Sequence, residues 1–169
     1  MKKARLLGMV FALAVAAPLA GCAQSYIANT DVEDSPANRE LIDFCENYRR
    51  AVERKDVAAL LEMISEDYYE NGGNSDASDD MDYAQFKAFL TGESKNTLGF
   101  SFQDATGIRH EIRYRRITRQ DNRIYVDYTF SASFRVPTNT GDAWKRKVDE
   151  NRLELILDDS GHYKIVAGM

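Results

Sequence analysis

Few side chains in this 169-residue chain are of a type and placement suited to proton chemistry. His110 and His162 are its two histidines, and Asp127 and Tyr128 adjoin in the longest alternating segment. A carboxyl, imidazole or phenol becomes a useful acid or base when burial moves its pKa towards neutrality. Tyr128 shares the apolar phase of Ile124, Val126, Phe130, Ala132, Phe134 and Val136, whereas Asp127 falls in the opposite phase. The histidines, at a strand start and in a hairpin turn, are expected at the surface. This pattern weighs against catalysis, and no catalytic residue is assigned. Asp76, Ser78, Asp80 and Asp82 alternate as calcium loops do, but Met81 stands where the turn glycine belongs and Lys87 where the bidentate glutamate belongs. No metal and no cofactor are expected.

Binding chemistry is better represented. Tyr48, Tyr68, Tyr128, Phe130 and Trp144 are candidate walls of a pocket for a small apolar ligand, since apolar surfaces carrying a few hydroxyls suit such molecules. Charge is also segregated. Residues 56–86 hold nine acidic and no basic side chains, while residues 109–123 hold six arginines against Glu111 and Asp121. Arg109, Arg113, Arg115, Arg116 and Arg119 form a candidate interaction patch for an oppositely charged envelope protein, with pairing inside the molecule as the simpler account.

The elements that must position these groups follow from periodicity. Leu41, Phe44, Cys45, Tyr48, Ala51 and Val52 recur at three and four, an amphipathic helix opening near Asn38. Asp56 caps a second, short helix with Val57, Leu60, Leu61 and Ile64 as its stripe, and residues 65–80 read as an exposed loop. Asp82 and Gln85 have the spacing of a capping box, opening a third helix to about Leu90. Beyond Asn96 the period becomes two. Residues 108–119 are a strand whose apolar phase changes between Tyr114 and Ile117, which predicts a bulge, and residues 124–136 alternate without a break. Residues 144–157 form another strand; Trp144 and Val148 share one parity and Leu153, Leu155 and Leu157 the other, so a register shift is expected near residues 149–152. A hairpin at Asp158-Asp159-Ser160-Gly161 leads to a last strand through Tyr163, Ile165 and Ala167.

The amino end supplies an address. Lys2, Lys3 and Arg5 precede an uncharged run of 15 residues, Leu6 to Ala20, the profile of a secretory signal. As a helix that run rises only about 22 Å, short of a hydrocarbon core about 30 Å thick. Leu19-Ala20-Gly21-Cys22 resembles the lipobox of bacterial lipoproteins. The resemblance implies cleavage before Cys22, a lipid on its thiol and a membrane anchor; Ala23, where an aspartate would retain the protein at the inner membrane, implies the periplasmic face of the outer membrane. The expected organisation is a signal peptide at 1–21, a lipidated cysteine and flexible tether at 22–38, and one domain at 39–169. The leader takes three of the 22 basic residues, leaving 19 against 27 acidic ones, a formal charge of −8 that argues against nucleic acid as a partner. With Cys22 assigned to lipid, Cys45 has no disulfide partner and reads as a buried small hydrophobe.

Helices followed by long antiparallel strands with a built-in curve describe an α+β fold. The order of Tyr48-Arg49-Arg50-Ala51, the Lys55 to Leu60 corner, the long Arg123 to Val136 strand and the ending Gly161 to Met169 resembles the NTF2-like superfamily, also called SnoaL-like or cystatin-like α+β. The resemblance implies N-terminal helices packed on a curved antiparallel sheet, a cone that can leave a pocket at its open end. The expectation is a non-catalytic module on the membrane that binds a small apolar ligand or a protein partner, a second copy through the sheet among them. The alternative is a SnoaL-like or ketosteroid-isomerase-like enzyme acting on a small hydrophobic substrate.

Overall fold

The computed structural model describes residues 25–72, 77, 80–96 and 99–169. The leader, Cys22, Asp76 and Ser78 therefore lie outside the described residues. Helix α1 runs over Pro36–Arg54 and opens two residues ahead of the expected cap. The hydroxyl of Ser35 accepts from the Asn38 backbone N–H at 3.2 Å, and Pro36 occupies the first turn, where no backbone donor is needed. The helix ends at Lys55, whose left-handed backbone (φ 57°) turns the chain sharply. Asp56 then caps α2, Val57–Met63, by accepting from the Ala59 N–H at 3.1 Å. The loop expected at residues 65–80 contains Tyr68 buried in the core and a short strand β1, Tyr69–Glu70, paired with β2, Met81–Asp82. Helix α3, Tyr83–Thr91, opens on the capping box of Asp82 and Gln85, each bond 2.8 Å long.

Four strands make the main sheet in sequential antiparallel order: β3 Thr106–Gln120, β4 Arg123–Thr138, β5 Gly141–Leu157 and β6 Tyr163–Ala167. The bulge expected in β3 falls between Tyr114 and Arg116. The shift expected in β5 does not occur: β4 and β5 pair without interruption from Thr138 opposite Gly141 to Ile124 opposite Leu155, and the irregularity lies instead against β6, between Glu154 and Leu155. Because β5 keeps one phase, Leu153 and Leu155 point inward with Asn151, Asp149, Lys147 and Lys145 beyond them. Trp144 and Val148 are thereby on the outer face, 62% and 64% exposed.

The core lies between α1 and the inner face of the sheet, where Leu41, Cys45 and Tyr48 meet Tyr114, Val126, Tyr128, Leu153, Leu155 and Ile165. Burial pushes the Cys45 thiol up to about 12, as befits a packing residue. The segment expected as a tether is also packed. Tyr26 bridges to Glu33, Val32 is buried, and the Asp31 N–H donates to the Tyr114 carbonyl at 2.9 Å, where the β3 edge bulges. Residues 25–35 therefore belong to the folded unit, ahead of the expected boundary at residue 39. Among the described residues no helix is long and apolar enough to cross a membrane.

Candidate ligand-binding site

Past Tyr128 the sheet extends further than α1 can cover, and the inward residues of β4 become half-buried: Phe130, Ala132 and Phe134. Opposite them stand Phe89 of α3 and the rings of Phe100 and Phe102, the latter opening a single 3-10 turn over Phe102–Asp104. Between these walls is a cavity of about 280 Å³, its floor completed by Tyr48 and Val52 of α1, Ile108 and His110 of β3, and Met169.

His110 is the group that the sequence reading misplaced. β3 begins at Thr106, so His110 lies well inside the strand, paired with Ala132 and in phase with Ile108 and Ile112. It is only 7% exposed, its ring held edge-on by Tyr48 and Phe130. Its backbone is clamped as well. The His110 N–H donates to the Glu53 carboxylate at 2.9 Å, and the Arg49 guanidinium donates to the His110 carbonyl at 3.2 Å. Among the described residues the side-chain Nδ1 has no hydrogen-bond partner. Burial holds the imidazole pKa below its ordinary 6.5, with Glu53 opposing and Arg49 reinforcing the shift, so the ring is neutral at pH 7. His162, as expected, is exposed in its turn.

Tyr128 lines the same cavity. Its hydroxyl donates to the Gly168 carbonyl at 3.3 Å and accepts from the Asn151 amide at 3.1 Å, and that amide also reaches the Gly168 carbonyl at 3.2 Å. Burial drives the phenol pKa upward, so it acts here as a fixed hydrogen-bonding group. Gly168 is required at this junction: a Cβ there would lie 1.8 Å from the Arg152 carbonyl oxygen, on a backbone with φ +89°. Asp127 faces away from the cavity, bonded to Arg152 at 2.6 Å and Arg116 at 2.8 Å, which hold its carboxyl below the usual range.

Of the five expected pocket residues, Tyr48, Tyr128 and Phe130 line this cavity. Tyr68 is instead stacked on Phe86 in the core, ring centroids 5.0 Å apart, and Trp144 stands on the outer face under the Arg135 guanidinium. Apolar character was the wrong guide for Trp144, because β5 keeps one parity throughout and carries polar residues on its inward phase there. Sequence reading also passed over Phe89, Phe100, Phe102, Lys147 and Asn151; only His110 left a usable signal, its alternation with Ile108, Ile112 and Tyr114.

The arginine stripe is largely engaged within the molecule. Arg113 and Arg115 share the Asp31 carboxylate at 2.5 and 2.8 Å, Arg116 pairs with Asp127, and Arg119 donates to the Asn38 side chain at 2.9 Å. These partners lie outside the acidic stretch at 56–86. Among the described residues no cluster of three His, Cys, Asp or Glu side chains is arranged to hold a metal ion.

No protein-family model matches the chain, and no curated protein matches it by sequence. Solved structures do. An NTF2-like superfamily protein from Salmonella enterica superposes with a TM-score of 0.58 at 9% identity, covering 77% of this chain and 86% of that one. The fold is NTF2-like. A ketosteroid isomerase-like protein from Erwinia carotovora gives a TM-score of 0.57 at 10% identity, covering 80% of this chain and 95% of that one. A putative scytalone dehydratase from Novosphingobium aromaticivorans gives 0.57 at 13% identity, covering 78% and 80%. At such identities the likeness is one of fold. The NTF2-like cone hosts binders and enzymes alike, so function must be argued from the cavity.

Proposed function

We propose that the protein is a membrane-anchored envelope lipoprotein whose NTF2-like domain binds a small, largely apolar ring compound in the mouth of its cone. The observation that carries the ligand reading is the aromatic cavity holding a neutral, 93%-buried imidazole with a partnerless nitrogen. Buried polar atoms are nearly always bonded, and sites left open recur where a ligand completes them. A cavity of 280 Å³ has room for about nine waters at roughly 30 Å³ each, hence a ligand of about ten heavy atoms. The anchor rests on the lipobox at Leu19 to Cys22, and Ala23 supports the periplasmic face of the outer membrane.

Binding is favoured over catalysis because one of the cavity's acid/base groups lacks a partner to tune it and the other is already tied down. Among the described residues no carboxylate bonds the His110 Nδ1, and the Tyr128 hydroxyl is tied to Gly168 and Asn151. An acid/base enzyme is the second reading, motivated by the lowered pKa of His110. The test is the melting temperature of the mature protein with 4-ethylphenol, in wild type and in Ala132→Phe, which fills the space opposite His110. A rise in wild type that disappears in a folded Ala132→Phe protein is expected. No rise, or an equal rise in both, contradicts the proposal.

A further inference from the structure

The inward polar residues of β5 give this cavity a sign. Lys147 belongs to its lining, and its ammonium lies 5.6 Å over the ring of Phe130. A second cation touches one of the walls from outside the lining. The Lys55 ammonium lies 5.9 Å over the ring of Phe102, held by the Gln103 and Ala105 carbonyls at 2.6 and 2.7 Å. Lys147 is thus the one lysine or arginine among the described residues that line the cavity, and no Asp or Glu side chain is among them. This occurs in a chain of formal charge −5, where a positive mouth runs against the overall balance.

The register shows how Lys147 comes to be there. β5 keeps its phase past Asn151, so Asp149, Lys147 and Lys145 stand inward opposite Phe130, Ala132 and Phe134. Lys147 is opposite the smallest residue of that wall, at the gap between two rings. Its one ion pair, with Asp149 at 3.4 Å, joins two side chains that are 65% and 54% exposed, and such pairs exchange readily for another anion. Lys145 adds a further charge beside it, with no ion pair among the described residues. Polarity is therefore divided along the site: a neutral imidazole in its depth, aromatic rings between, and an ammonium at the rim.

We infer that the ligand is an amphiphilic monoanion, its ring or short chain held among Phe89, Phe102, Phe130 and His110 and its carboxylate-type head at Lys147. This rests on the ligand reading above and narrows it. Three probes of one shape and different charge test it by isothermal titration at pH 7 and low salt: 4-ethylphenol, 4-ethylbenzoate and 4-ethylbenzylammonium. The benzoate is expected to bind about three- to fivefold tighter than the phenol, the gain of an exposed charge pair. Lys147→Gln should remove that preference, bringing the ratio of benzoate to phenol affinity to about one. Equal affinity for phenol and benzoate, preference for the cation, or a benzoate preference that survives Lys147→Gln overturns the charge assignment while the cavity reading stands. Failure of all three probes to bind overturns both.

Discussion

The imidazole of His110 meets the ring of Phe130 edge-on, with centroids 5.7 Å apart and planes at 87°. That contact joins β3 to β4 at the depth where α1 ceases to cover the sheet, and it sets an imidazole among the aromatic rings of the cavity. A ring gripped this way is oriented without a hydrogen bond to its Nδ1.

The burial of His110 predicts an acid-sensitive stability. Its folded pKa lies below 6.5, so in the interval beneath 6.5 the unfolded chain takes up a proton that the folded chain does not. The contribution is whole above that interval and is lost as pH falls through it. Urea denaturation at pH 8 and pH 5.5 should show a larger loss for wild type than for His110→Phe. Equal losses would mean that the imidazole does not titrate with unfolding.

Gly168→Ala should destabilise the domain by about 2 to 4 kcal/mol, through a left-handed backbone and overpacking against the Arg152 carbonyl. Because Gly168 also anchors Tyr128 and Asn151, the same substitution should weaken binding of 4-ethylphenol. Chemical denaturation and titration check the two effects separately; a variant as stable as wild type contradicts the junction described.

Much of this architecture was legible in the residues, and the failures have physical causes. Alternation from Ile124 to Val136 fixes β4 because one face turns inward along its length, buried to Tyr128 and half-buried from Phe130 to Phe134, and the phase change between Tyr114 and Ile117 required the bulge that is found. Trp144 misled because a large apolar side chain was assumed to seek the core, whereas pairing with β4 sets the facing and leaves lysines inward. Residues 25–35 looked like a tether since their order comes from single contacts, Val32 in the core and Asp31 on β3, and such contacts leave no period in the sequence. The cavity itself needed coordinates, for Phe89, Phe100 and Phe102 come from segments with no common pattern.

The packed segment predicts a close approach to the bilayer. With a lipid on Cys22, only Ala23 and Gln24 precede the folded Ser25, a reach of about 10 Å where a free tether from 22 to 38 would reach roughly 50 Å. Cys22→Ser should release the protein from membranes, and retention would contradict the anchor. Val32→Asp should free the segment, seen as faster hydrogen exchange at the amides of Ile27, Asp31 and Asp34; unchanged exchange would contradict its packing on β3.

Asp31→Ala should act on the same segment more gently, since its carboxylate is shared by Arg113 and Arg115 at the surface. Those arginines, Arg113 first, hold the carboxyl below its usual range, so acid should loosen the segment only as pH falls below the ordinary carboxylate range. Exchange of the Asp31 amide, followed against pH in wild type and variant, measures it, and a loosening already complete at pH 5 would contradict the pairing.

The central claim is that the cone's mouth takes a small ring compound, and methyl-resolved NMR of the mature protein with 4-ethylphenol tests it most directly. The account predicts shifts at the methyls of Met169, Ala132 and Ile108, which line the cavity, with Met63 and Met81 unmoved. Shifts spread over Met63 and Met81, or none at Ala132 and Met169 at saturating ligand, would contradict it.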